Sequence, residues 1–170
     1  MKFIINGGKK LSGEVSLSGA KNAATKMMIA SILTSEPCVF ENFPRIGDTE
    51  ITAELCEKIG TKIQWNRDVV VLETPEVKNS KVLELSRRNR LPILALGPLL
   101  ARVGEAEVPI LGGDKIGPRP VNFHIRALTA LGAEIEVTPT SYRAKAPNGL
   151  RGAKIDFEIP SVGATENAIL

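Results

Sequence analysis

Two stretches of the chain repeat one pattern, and this repeat limits the folds that the sequence can adopt. Residues 48–63 (DTEITAELCEKIGTKI) align with residues 120–135 (PVNFHIRALTALGAEI), an offset of 135 − 63 = 72 residues. In both stretches apolar residues recur at three- and four-residue spacing, which predicts a helix, and Gly60 or Gly132 follows where that helix ends. A short strand is expected directly after each glycine.

The segments around these helices complete a unit of helix, strand, helix, strand, strand. The predicted helices and strands of the first unit are residues 20–33, 38–41, 48–60, 62–65 and 69–73, and those of the second are about residues 91–103, 106–110, 120–132, 134–137 and 142–145. A loop separates the first strand from the second helix, and it is longer in the second unit. This order predicts an α/β fold.

A third unit is predicted to begin near the end of the sequence. Residues 18–23 (SGAKNA) resemble residues 161–168 (SVGATENA), and each segment is expected to open a helix after a strand; for the first segment that strand is residues 13–17. Units of this kind bury their apolar faces only against neighbours. The chain is therefore predicted to hold two units and the start of a third, in an incomplete domain.

Composition narrows the class of protein. Of 170 residues, 43% are hydrophobic and 24% charged, which suits a globular chain with one apolar core. The net charge of +3 is spread along the chain, so neither nucleic acid nor a membrane surface is the expected partner. We find no apolar stretch of the ~20 residues that a membrane span needs, and a cytoplasmic location is predicted. Cys38 and Cys56 are expected to be reduced, and they do not suggest a metal site.

The first candidate site is the segment at residues 18–23. Its small residues allow a ligand to approach the backbone, the free N–H groups of a helix start favour an anion, and Lys21 adds a positive charge. A helix cap of small residues beside a surface lysine is the alternative interpretation.

The second candidate is the basic segment Arg87-Arg88-Asn89-Arg90. Arginines so close together usually form a solvated face, but one of them could bind a phosphate or a carboxylate through two parallel hydrogen bonds.

The third candidate is the loop at residues 111–121 (LGGDKIGPRPV). Its glycines and prolines are typical of a loop that closes over a substrate, and it carries Asp114, Lys115 and Arg119 within six positions. A polar connection with a surface ion pair remains the alternative. His124, the only histidine, follows on the predicted helix and is interpreted as a helix-surface or capping residue.

The segments LSGEVSLSGAKNAA, NRLPILALGPLLAR, GGDKIGPRPVNFHIRALTALGAEI and PSVGATENAI run from residue 11 to residue 169. Together they resemble the amino-terminal portion of the UDP-N-acetylglucosamine 1-carboxyvinyltransferase family of enolpyruvyl transferases. The resemblance implies an inside-out α/β barrel of βαβαββ units, with helices inside and sheets outside. It also implies that strands near residues 2–5, within residues 1–18, belong in part to a second domain outside this chain, and that residues 19–170 form an incomplete first domain.

The same resemblance implies a reaction and its site residues. The enolpyruvyl group of phosphoenolpyruvate would pass to the 3′-hydroxyl of UDP-N-acetylglucosamine with release of phosphate, an early step of peptidoglycan synthesis, and no cofactor or metal is implied. The resemblance assigns catalytic roles to Asp114 and Lys21, and it implies a general base from outside this chain. The positions implied to bind substrates are Lys21, Asn22 and Arg90, then Arg119, Pro120, Val121, Asn122 and Phe123, and finally Ser161, Val162 and Gly163.

Two positions depart from the family pattern. Asp114 stands where most members have cysteine, which implies insensitivity to fosfomycin because that compound alkylates the thiol. An ordinary aspartate has a pKa near ~3.9, so Asp114 could donate a proton only if its surroundings raise that value. Asn122 replaces a frequent aspartate. Two alternatives remain: the related 3-phosphoshikimate 1-carboxyvinyltransferase, and a non-catalytic fragment that binds a UDP-sugar.

Overall fold

The computed structural model describes residues 2–87, 89–110, 112 and 121–170. The helices are α1 (Lys21–Ala30), α2 (Gly47–Ile59), α3 (Leu96–Val103), α4 (Asn122–Ala130) and α5 (Val162–Ile169), with 3₁₀ turns at Ser31–Leu33 and Pro92–Ala95. The strands are β1 (Cys38–Phe40), β2 (Lys62–Asn66), β3 (Val69–Glu73), β4 (Glu105–Pro109), β5 (Glu134–Val137) and β6 (Ser141–Lys145). The chain is thus a mixed α/β protein, as predicted.

The predicted repeat is present in the strand pairing. One antiparallel sheet has the order β1-β3-β2 and a second has the order β4-β6-β5. Lys62 pairs with Glu73 in the first sheet, and the residues 72 positions later, Glu134 and Lys145, pair in the second. The two units therefore share their hairpin register.

The helix ends repeat as well. Gly60 follows α2 with a φ of 128°, and Gly132 follows α4 with a φ of 100°, both in the region that disfavours a side chain. The next amide bonds back into the helix in each unit, Thr61 to the Cys56 carbonyl at 2.9 Å and Ala133 to the Leu128 carbonyl at 3.0 Å. Each glycine thereby turns the chain from a helix into a strand.

The first helix of each unit packs at the centre of the fold. The 3₁₀ turn before α3 contacts both α1 and α5, and α3 also contacts α5. Large side chains from these helices are completely or almost completely buried, including Met28, Ile32, Leu96 and Leu99. Since each such side chain contributes ~1.5–3 kcal/mol on burial, this helical layer holds the units together. Both sheets cover it with one face, through residues such as Leu72 and Val108.

Three predicted strands are absent. Residues 2–5, residues 13–17 and the segment before Ser161 have no strand assignment, and Ile4 and Val15 are 90% and 87% exposed. A strand requires a hydrogen-bonded neighbour, and the described residues place none beside these segments. The two sheets are open, with three strands each among the described residues.

The cysteines are both free. Cys56 is completely buried, and burial raises the pKa of its thiol to about 12. Cys38 is only half-buried.

Candidate functional site

Lys21 is placed by a close contact between two backbone segments. The Gly19 amide donates to the Asn42 carbonyl at 3.0 Å, and a side chain at residue 19 would put its Cβ 2.2 Å from that same oxygen. Only glycine fits at this distance. The contact fixes the chain just before α1, where Lys21 is the first helical residue and the exposed Asn22 the second.

The ammonium of Lys21 is held by the next helix. Its Nζ lies 2.8 Å from Oδ2 of Asp48, the second residue of α2. Both side chains are partly exposed, so the pair contributes little to stability. The pair brings the beginnings of α1 and α2 together. Asp48 was not predicted from the sequence, because it lies 48 − 21 = 27 residues from its partner.

The basic segment also lies against α2. Arg87 Nη2 is 3.3 Å from Glu50 Oε2, and the Ser86 amide donates to Glu54 Oε1 at 2.8 Å. Hydrogen bonds from Ser86 are the main reason why the pKa of Glu54 is lowered. Arg90, the predicted substrate ligand, is exposed. The structure therefore assigns Arg87 to an ion pair and leaves Arg90 in contact with solvent.

Asn89 connects this segment to the glycine-rich loop. Its carbonyl accepts a hydrogen bond from the Gly112 amide at 3.0 Å, and its side-chain oxygen accepts one from the Leu91 amide at 3.1 Å. The second and third candidate segments are therefore adjacent. The predicted residues Asp114, Lys115, Arg119 and Pro120 lie outside the described residues.

The two predicted nucleotide-binding segments meet where α4 and α5 begin. Val121 precedes α4, and Asn122 and Phe123 form its start. Ser161 caps α5 by accepting a hydrogen bond from the Ala164 amide at 3.4 Å. The helices contact each other along their length, and the Phe123 ring lies edge-on to Phe157, 5.5 Å between centroids. Val162 and Asn122 are exposed at this end, and Gly163 is half-buried.

His124 is not the surface residue that the sequence predicted. It is half-buried, and its Nδ1 lies 3.2 Å from the side-chain nitrogen of Asn167 on α5. Burial lowers the pKa of the imidazole, because the charged form loses solvation. The prediction failed because the partner lies 167 − 124 = 43 residues away and no local spacing indicates it.

An ion pair joins α1 to α5. Lys26 Nζ lies 3.5 Å from Glu166 Oε1, so the helix that begins at Lys21 contacts the helix that begins after Ser161. Helix starts offer free N–H groups, which favour anions. The described parts of the predicted site thus lie on helices that contact one another.

A shallow pocket of about 300 Å³ lies elsewhere, on the second sheet, lined by Lys81, Glu105, Ala106, Glu107, Arg143, Ala144 and Lys145. Arg143 pairs with Glu107 and Glu136, and Lys81 pairs with Glu105. We interpret this region as an ion-pair network rather than a substrate site.

Across residues 2–87, 89–110, 112 and 121–170, no group of three His, Cys, Asp or Glu side chains is arranged to hold a metal ion. Every helix in those ranges falls short of the length and apolarity that a membrane crossing requires.

Residues 5–170 match the family model described as EPSP synthase (3-phosphoshikimate 1-carboxyvinyltransferase). The chain belongs to the EPSP synthase family. Among relatives, the UDP-N-acetylglucosamine 1-carboxyvinyltransferase of Chlamydia pneumoniae is 49% identical over 165 residues, which is 95% of this chain and 36% of the relative. The protein of the same name from Geotalea uraniireducens is 42% identical over 170 residues, covering 99% of this chain and 40% of the relative. The chain spans 36–41% of the length of such relatives.

Solved structures of an enolpyruvyl transferase and of EPSP synthase share the fold. The enolpyruvyl transferase NikO from Streptomyces tendae matches with a TM-score of 0.68 at 20% identity, over 85% of this chain and 32% of that one. EPSP synthase from Acinetobacter baumannii matches with a TM-score of 0.67 at 16% identity, over 92% of this chain and 37% of that one. At these identities the likeness concerns the fold alone.

Proposed function

We propose that this chain is part of an enzyme that transfers the enolpyruvyl group of phosphoenolpyruvate to the 3′-hydroxyl of UDP-N-acetylglucosamine, with release of phosphate. The observation that carries the proposal is the 42–49% identity, over nearly the whole chain, to proteins named UDP-N-acetylglucosamine 1-carboxyvinyltransferase. The reaction would serve peptidoglycan synthesis, and through it cell shape and cell division, in the cytoplasm. Because the chain spans only 36–41% of those relatives, the isolated chain is expected to be inactive.

The chemistry needs cations around a phosphate and a carboxylate, an acid for the methylene carbon and a base for the hydroxyl. We assign the phosphoenolpyruvate to Lys21 and Asn22 at the start of α1, with Arg90 and Arg119 as further cations. The uridine and diphosphate are assigned to residues 119–123 and 161–163. Contact between the described parts of these two segments, through α4 and α5, supports this assignment.

Asp114 is proposed as the acid that protonates the methylene carbon. It would be protonated only if closure of its loop removes it from water or brings it to a phosphate, since both raise the pKa of a carboxyl group. An oxygen acid in place of a thiol would leave fosfomycin without a nucleophile to alkylate at this position.

The architecture proposed for the whole enzyme is an inside-out barrel of βαβαββ units. Central packing of α1, the 3₁₀ turn before α3, and α5, with both sheets outside, supports it. The exposed apolar side chains of residues 2–17 fit the proposal that this segment pairs with strands of a second domain.

A second candidate is 3-phosphoshikimate 1-carboxyvinyltransferase, the enzyme that names the family model. The segment SGAKNAA at residues 18–24 favours the UDP-sugar enzyme, because the shikimate enzyme is expected to carry Gly-Ser-Lys-Ser there. A third possibility, a fragment that binds a UDP-sugar without catalysis, predicts binding in the absence of turnover.

Phosphate release tests the proposal. The complete natural polypeptide that contains this sequence is expected to release phosphate from phosphoenolpyruvate only when UDP-N-acetylglucosamine is added, and not with shikimate 3-phosphate. Asp114→Asn in that polypeptide should lower kcat by at least ~10²-fold, the usual effect of removing a general acid. An unchanged kcat excludes the acid role, and release that requires shikimate 3-phosphate instead supports the second candidate.

A further inference from the structure

The contact between α4 and α5 contains a buried polar pair to which the proposed reaction gives no role. Asn167 is 0% exposed, and its side-chain nitrogen lies 3.2 Å from the Ile93 carbonyl and 3.2 Å from His124 Nδ1. The carbonyl can only accept, so this nitrogen is the donor in both bonds. His124 Nδ1 therefore accepts, and the ring carries its proton on Nε2.

The adjacent Cε1–Nε2 edge of the same ring also lies against α5, at Gly163. A Cβ added to Gly163 would be 3.2 Å from His124 Cε1 and 3.3 Å from Nε2, so the ring fills the space that a side chain at residue 163 would need. Gly163 belongs to one proposed nucleotide-binding segment, and His124 directly follows Phe123 in the other. One imidazole thus separates the two segments that are proposed to hold the diphosphate.

The amide of Asn167 is not fully satisfied. Its side-chain oxygen is buried without a hydrogen-bond partner among the described residues. Rotating the amide would set that oxygen against the Ile93 carbonyl, so the present orientation is the better one. A buried acceptor left without a donor costs ~1–3 kcal/mol, so packing strength alone does not account for asparagine at this position.

Building on the proposed function, we propose that His124 and Asn167 are positioning residues that hold the starts of α4 and α5 at the separation a UDP-sugar diphosphate requires. His124 is then a spacer that must stay neutral. A protonated ring would point an N–H from Nδ1 at the side-chain N–H of Asn167, and the hydrogen bond would become a repulsion.

Near this contact, His124 is the group whose protonation would change the hydrogen bond to Asn167. Among the described residues, Arg126 on α4 pairs with Glu158, and Glu166 on α5 pairs with Lys26. The turn Pro92–Ala95 carries no charged side chain. A UDP-sugar has no phosphate monoester, the group that ionises near pH ~6, so its own charge does not change as His124 titrates.

Two substitutions of His124 test whether this residue sets the separation of α4 and α5 or only fills the space between them. His124→Asn keeps an acceptor near the place of Nδ1 but cannot titrate, whereas His124→Leu removes the acceptor and keeps bulk. Thr129→Ala, at an exposed position of α4, is the control. All are made in the complete natural polypeptide, and the readouts are calorimetric binding of UDP-N-acetylglucosamine from pH 7.5 down to the lowest pH at which the wild type stays folded, the KM for each substrate, and kcat.

His124→Leu is expected to weaken UDP-N-acetylglucosamine binding by about tenfold or more, the effect of misplaced binding groups, with the KM for phosphoenolpyruvate unchanged. Wild-type binding should weaken as the pH falls through the pKa of His124, which burial lowers, and His124→Asn should keep its binding across the same range.

Wild-type protein that neither binds nor turns over UDP-N-acetylglucosamine overturns the proposed function. A pH dependence of binding that is the same for wild type and His124→Asn across this range overturns the positioning role alone, even where His124→Leu does not fold. Equal losses for both His124 variants, in both KM values, also overturn it.

Discussion

Arg102 links the two units through side-chain hydrogen bonds. Arg102 lies in α3, in the second unit, and its guanidinium donates to the Ile32 carbonyl at 2.8 Å and to the Thr74 carbonyl at 3.2 Å, both in the first unit. Ile32 lies in the 3₁₀ turn after α1 and Thr74 directly follows β3, where backbone acceptors have no partner within their own element. The planar fork of arginine suits two such acceptors.

Arg102→Met should therefore destabilise the chain more than an ordinary surface change. Methionine keeps much of the apolar stem but loses the charged donors, and hydrogen bonds to charged groups contribute ~1.5–3 kcal/mol. The expected loss in free energy of unfolding is about 2 kcal/mol, measured by urea denaturation followed by circular dichroism. Arg151→Met is the control, because Arg151 is exposed. Equal losses for the two variants would contradict the role given to Arg102.

At the scale of helices and strands, the repeat places two glycines, Gly60 and Gly132, at equivalent positions. Gly60 and Gly132 end equivalent helices with positive φ, but their surroundings differ. A Cβ at Gly60 would lie 2.8 Å from the Glu76 carbonyl oxygen and 3.1 Å from the Lys78 amide nitrogen. The nearest atom to a Cβ at Gly132 is the Gly149 carbonyl oxygen, at 3.6 Å. Strain is common to both sites, and a clash occurs only at the first.

Alanine substitution at each glycine should separate the cost of backbone strain from the cost of the steric clash. Gly132→Ala is expected to lower the free energy of unfolding by ~1–2 kcal/mol, the cost of a left-handed conformation. Gly60→Ala should lower it further, because the clashing atoms belong to the backbone and cannot move aside cheaply. Urea denaturation of the two variants in parallel measures the difference. If Gly132→Ala proves the more damaging, the contact at Gly60 does not limit the fold.

The elements that could be predicted from sequence are those with a local signal. The apolar period of α2 and α4, the glycine after each, and the alternation in the hairpins that follow all lie within about 25 consecutive residues of each unit. Residues 13–17 form no strand within this chain, because apolar composition does not by itself supply a hydrogen-bonded neighbour. Lys21 was correctly placed at a helix start, but its contact with Asp48 depends on tertiary packing that no spacing encodes. Asn167 follows two other polar residues of α5, Thr165 and Glu166, so it did not stand out as a partner of His124.

On the scale of the whole molecule, the two units share a backbone but differ on the outer faces of their sheets. Val71 pairs with Val39 and Gln64 in the first sheet, and Arg143 pairs with Glu107 and Glu136 in the second. An uncharged strip in one unit thus corresponds to an ion-pair network in the other. Glu107 is the buried member of this network. It is 7% exposed, and it also accepts a hydrogen bond from the Ser141 hydroxyl at 2.7 Å.

This network should make the stability of the second unit sensitive to acid. The Ser141 hydrogen bond, followed by the contact with Arg143, lowers the pKa of Glu107 from its ordinary value of 4.5. A carboxyl group with a lowered folded-state pKa contributes its full stability above the unfolded value and loses it as the pH falls through the folded value. Glu107→Gln should therefore be less stable than wild type at pH 7, and the difference should shrink as the pH falls below about 4.5.

Urea denaturation of both proteins from pH 7 to pH 3 measures this difference. Glu54 also has a lowered pKa, and its carboxyl contributes acid sensitivity of the same sign. Because Glu54 is unchanged in both proteins, its contribution cancels in the comparison. A stability difference that stays constant across this range would mean that Glu107 acts through its shape and hydrogen bonds, and that its charge does not hold the outer face of the second unit together.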